Sequence, residues 1–165
     1  MDGAQYCACE AESHGDLGPV SDDERLARLV TSPNHFRKDG GLKPGVFPLS
    51  HIKSSGLSLM RVDHMQEVAI TDISHKIARQ KEGESPSGLL IRSALELRSL
   101  RDEVEDRLLC VVDDPVLDAP PFPDNPAHAI AVSAKERSDE EILEIQSTLF
   151  ELFDGAIVSL GMVHE

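Results

Sequence analysis

The sequence has no tryptophan and only one tyrosine, Tyr6, among its 165 residues. That scarcity argues against an aromatic stacking platform for single-stranded nucleic acid or for sugars. No run approaches the eighteen or more apolar residues that a membrane span requires, and acidic residues stand where a secretory leader would carry a basic start. These absences lead to the expectation of a cytoplasmic, prokaryotic-style protein with no membrane association. Three cysteines cannot all pair, and Cys7 and Cys9 are too close to close a useful loop, so no disulfide framework is expected and a reducing compartment is the simpler reading. Cys-x-Cys lacks the two-residue gap of a zinc knuckle, so Cys7, Cys9 and His14 read as adventitious ligands at most, and no metal site is assigned. Cys110, between Leu109 and Val111, reads as core.

Charge is plentiful and unevenly placed. The net charge is −14. Residues 1–33 hold two basic against seven acidic side chains, 34–101 eleven against seven, and 102–165 three against sixteen. The whole molecule repels phosphate backbones, which favours a basic protein partner over nucleic acid.

Residues 1–20 are small, polar and aperiodic and read as a flexible N-terminal tail, followed by one domain over 21–165. Ser21 with Glu24 has capping-box spacing and predicts a helix over about 22–31, stopped by Ser32-Pro33. Between Asn34 and Gly56, Gly and Pro recur too often for a long element. "LSLMRV" predicts a strand at 57–62. Asp63 and Gln66 read as a cap for a helix whose apolar stripe includes Met65, Ala69, Ile73 and Ile77. "KEGESPSG" reads as a linker, "LLIRS" as a strand, "ALELRSLRDEVED" as a helix and "RLLCVVDD" as a buried strand. Five prolines make 114–126 an extended connection. "AHAIAVS" predicts a strand, and Ser138 with Glu141 caps a helix ended by Gly155, before a last short strand, "AIVSL". The fold class expected is α+β: a small mixed or antiparallel sheet covered by about three helices.

Two places have the ingredients of chemistry. In residues 34–61, Arg37, Lys38, Lys43, Lys53 and Arg61 accompany several glycines in an otherwise acidic chain, a set of groups suited to a phosphate-bearing small molecule, with His35 or His51 to move a proton. No Walker or dinucleotide spacing occurs there, and a solvated loop paired with the acidic C-terminal third explains the same residues. His128, at the start of a strand, is a third candidate for acid–base work; the plainer reading is an imidazole bonded to the backbone, fixing the 114–126 connection. His64 and His75, eleven positions apart, are separated by roughly 16 Å of helix rise and share no site. Two functions follow: an acidic interaction or regulatory protein of immunity, antitoxin-like or adaptor type that engages a basic partner, or a small enzyme or sensor for a phosphate-bearing ligand such as a nucleotide or nucleic acid end.

Overall fold

The computed structural model describes residues 7–165, with only the backbone of Ala8. Six strands form one antiparallel sheet: β1 (Arg25–Ser32), β2 (Leu57–Arg61), β3 (Ser85–Ser93), β4 (Leu109–Asp113), β5 (His128–Ser133) and β6 (Ile157–Val158), in the order β4-β5-β2-β1-β3-β6. Three α-helices, α1 (Glu67–Ala78), α2 (Ala94–Arg98) and α3 (Asp139–Leu152), complete a single α+β domain. The alternation of β1 divides the core. Leu26 and Val30 belong to an apolar cluster with Ile142, Ile145 and Leu149 of α3, whereas Ala27 and Leu29 belong to a second cluster with Ile70 and Ile73 of α1.

The helix expected over 22–31 is strand β1. Leu26, Ala27, Leu29 and Val30 are all buried because β1 lies inside the sheet with both faces covered, which produces an apolar run that also reads as helical. The Ser21–Glu24 contact does form, with Ser21 N donating to Glu24 Oε2 at 2.7 Å, but it closes a turn. The helix expected from residue 94 to 106 stops at Arg98. Asp102 accepts from the Val104 and Asp106 N–H groups and turns the chain there. At Asp139 the capping box of Ser138 and Glu141 starts α3 as expected.

Of the tail expected over 1–20, residues 1–6 lie outside the described residues, while 7–20 run against β4. Cys110 is not a free core thiol: it is joined to Cys7 across 103 residues, a pairing that spacing alone cannot reveal. Val111 turns its outward backbone groups to side chains, its N–H donating to Glu10 Oε1 at 3.0 Å and its carbonyl accepting from Arg98 Nη2 at 3.0 Å. The edge of β4 is thereby occupied at that residue.

One buried guanidinium joins these pieces. Arg61, at the end of β2, has no exposed surface. Its Nε and Nη2 donate to the two oxygens of Glu24 at 2.7 and 2.9 Å, and Nη1 donates to Asp113 Oδ1 at 2.9 Å and to the Gly18 carbonyl at 2.9 Å. Asp113 Oδ2 in turn accepts from His14 N at 3.0 Å. Burial alone would raise the Glu24 carboxyl, but the Arg61 hydrogen bonds and charge, with Ser21, hold it below its ordinary 4.5.

Arg61→Met leaves two carboxylates buried without their cation and is expected to cost about 3–5 kcal/mol in urea unfolding. Replacing Glu24 and Asp113 by Leu in the same chain is expected to recover much of that loss. Because the Glu24 carboxyl is held low, its contribution is complete above pH 4.5 and is lost as pH falls through the folded-state value, so the urea midpoint of the wild type should drop on acidification below 4.5, and less so in Glu24→Gln.

Candidate functional site

The sheet opens at one place. β1 matches β3 over eight register pairs but meets β2 in only two, Leu26 with Arg61 and Ala27 with Met60. Past Ala27 the strands separate, and Arg28 spans the gap, its Nε donating to the Val46 carbonyl at 2.9 Å and its Nη1 to the Ser58 carbonyl at 3.1 Å. Among the described residues no carboxylate pairs with Arg28. Burial pushes its pKa down to about 10, so it remains a cation at neutral pH, but one in poorly solvated surroundings.

At this opening lies a cavity of about 330 Å³. Its apolar wall comes from Ala27 and Leu29 of β1, Met60 of β2, Ile73 and Ile77 of α1, and Val116, Phe122 and Pro123 of the proline-rich connection; Arg28, His51, Ser58, Asn125 and His128 supply the polar groups. That connection is held in shape by a bridge between Val116 and Asn125, and Gln80 Nε2 ties it to the end of α1 through the Pro121 carbonyl at 3.1 Å. Buried Asn125 accepts from Ala127 N at 3.0 Å, which sets the start of β5 and with it His128.

His128 makes the backbone contact that the plainer sequence reading expects: its Nδ1 is 2.6 Å from the Asp114 carbonyl and 3.3 Å from Asp114 Oδ2. A carbonyl only accepts, so Nδ1 carries a hydrogen, which leaves Nε2 as the ring nitrogen able to take or give a proton. The hydrogen bond from His128 holds the Asp114 carboxyl below its usual range. His51 comes from the tight turn His51–Ser55, and its Nδ1 is buried with no hydrogen-bond partner among the described residues. Burial, followed by the nearby Arg28 charge, pushes its pKa down, so at neutral pH the ring is uncharged.

The other sequence candidates do not join this site. His35 Nδ1 accepts from Thr31 N at 3.0 Å and closes the turn after β1. Arg37 lies 3.4 Å from Asp39 within its own loop, Lys38 and Lys43 are exposed, and Lys53 reaches Asp139 at the start of α3 at 2.7 Å. Arg61 is enclosed by Glu24 and Asp113. Register also separates it from His128: Met60 lies opposite His128, and Arg61 is the next residue, pointing to the other face. The five bases of 34–61 therefore form no common cradle. Arg28, which does line the cavity, sits inside the "RLARLV" stretch taken for a helix, where a charge within an apolar run was its only signal. Among the described residues, the one group of three metal-binding side chains is Cys7, Glu10 and Cys110, but the two sulfurs are bonded to each other and Glu10 is bound by Arg107, so this set is not free to take a cation.

In an NMR titration the His51 ring is expected to pick up its proton below pH 6.5, and Arg28→Gln should move that midpoint upward by removing a repelling charge. An unchanged midpoint would mean that Arg28 and His51 do not share the cavity wall. Comparison with protein-family models, with curated proteins and with solved structures finds no match to this chain.

Proposed function

We propose that the protein binds a small organic anion, a phosphate or carboxylate group carried on an apolar body, in the cavity between β1, β2, β5, α1 and the proline-rich connection, as a sensor or a small enzyme of the cytoplasm. The observation that carries this reading is Arg28, a half-buried guanidinium at the cavity wall held only by neutral carbonyls. A half-buried cation without a counter-charge is open to a ligand anion that supplies one. The apolar wall suits the rest of the ligand. His128, fixed through Nδ1, is the group that would take a proton from a bound molecule.

A second reading, engagement of a basic protein partner, is supported by the outer face of α3. Half-exposed Leu143 stands there among the exposed Glu140, Glu144 and Asp139. Such a face suits a basic surface with an apolar centre.

The test is thermal unfolding against aryl phosphates and aryl carboxylates, with their neutral amides or alcohols as controls. A ligand of the cavity at a hundred times its Kd is expected to raise Tm by roughly 5–10 °C, with the neutral analogues silent. Arg28→Met should abolish the response, and so should Ile77→Phe, which narrows the cavity without touching a polar group. A flat panel, or a response that survives both substitutions, would overturn the cavity reading and leave the α3 face as the better one.

A further inference from the structure

The Cys7–Cys110 disulfide lies beside a second cavity of about 490 Å³, away from the first, lined by Cys7 and Glu10 together with Arg98, Arg101 and Arg107. Glu10 accepts from Arg107 Nη2 at 2.6 Å, and its other oxygen is 2.9 Å from Arg98 Nε. Asp22 pairs with Arg98 Nη1 at 2.9 Å. Exposed Arg101 donates to the Arg98 carbonyl at 3.1 Å, and no carboxylate among the described residues pairs with it. Three guanidinium groups thus face two carboxylates, which leaves the wall cationic in a strongly acidic protein. The two sulfurs differ in access: Cys7 is half-buried at the wall, whereas Cys110, within β4, is 5% exposed.

We propose that this disulfide exchanges with a small thiol that carries an anionic group, seated against the arginines of the cavity. The thiolate attacks the accessible sulfur, Cys7 Sγ. A bond forms between the two, the Cys7–Cys110 bond breaks, and its electron pair goes to Cys110 Sγ, which takes a proton from water. A second thiolate attacks the mixed disulfide at the small thiol's sulfur and releases Cys7 as thiolate, so that two small thiols are oxidised to their disulfide as the protein's disulfide is reduced to two thiols. The cations favour the approach of an anionic thiol. Reduction removes one anchor of the 7–20 segment and leaves the others: Glu10 on Val111 and Arg107, His14 N on Asp113, and the Gly18 carbonyl on Arg61. The reduced protein therefore keeps its fold.

The test uses the full chain carrying Cys9→Ser, so that exposed Cys9 does not compete. Mercaptoethanesulfonate and cysteamine, an anionic and a cationic thiol, are compared at equal thiolate concentration by acid quenching and peptide mass spectrometry, each rate divided by that for a disulfide model peptide. The expected result is a mixed disulfide on Cys7, formed about 3–10-fold faster with the anionic thiol at low salt. This preference should shrink at 1 M salt and be lost in Arg101→Glu. Equal normalised rates, a mixed disulfide on Cys110, a preference unchanged in Arg101→Glu, or reaction only in denaturant would each overturn the proposal.

Discussion

A guanidinium has five N–H donors and no acceptor, so a buried arginine has to be surrounded on every side by oxygen. Arg61, at the end of β2, meets that demand with partners from three separate stretches of chain: Glu24 just before β1, Asp113 at the end of β4, and the Gly18 and Pro19 carbonyls of the N-terminal segment. Two strands on opposite sides of β2 are thereby referenced to one atom group, and the N-terminal segment is drawn onto the sheet. The net value of such a cluster to stability is small beside its value in excluding other arrangements, since any shift of register strands a buried charge.

The same sheet tolerates a second arginine for a different reason. Pairing between β1 and β2 lasts only as far as Ala27 and Met60, and Arg28 fills the widening gap by donating to carbonyls that the ladder no longer serves. Arg28 lies two positions beyond Leu26, the register partner of Arg61, and the two arginines differ in role: Arg61 is neutralised by carboxylates, and Arg28 is not. Under the proposed function, that difference is what makes the first a structural centre and the second an anion receptor. The proline-rich connection completes the cavity by laying Val116, Phe122 and Pro123 over β5, an arrangement in which Asn125 and His128 are fixed by backbone contacts.

How much of this was legible in the sequence depended on whether the deciding contact was local. Ser138 and Glu141 are three residues apart and start α3 where expected. Ser21 and Glu24 have the same spacing, yet Glu24 is claimed by Arg61, 37 residues away, and the turn between them leads into a strand. The α+β class followed from strand-length apolar runs set off by Gly and Pro, which left a mixed and an antiparallel sheet equally open. His51 and His128 were identified as candidates and share one cavity, whereas Arg37, Lys38, Lys43, Lys53 and Arg61 were grouped by proximity in sequence and scatter, because partners such as Asp139 for Lys53 lie 86 residues off. Arg28 was hidden by the misreading of β1: on a helix it would face solvent with ease, and only within a buried strand does its charge require an explanation.

The central claim is that Arg28, His51 and His128 form one receptive wall. Its most direct test is NMR of protein labelled in the arginine side chains, the histidine rings and the Leu, Val and Ile methyl groups, titrated with an aryl phosphate. The account predicts saturable shifts at Arg28 Nε, at the rings of His51 and His128, and at the methyls of Ile73 and Ile77, with Arg61 Nε and the Leu143 methyls unmoved. Shifts confined to Leu143 and its neighbours on α3, or none at Arg28, would contradict it.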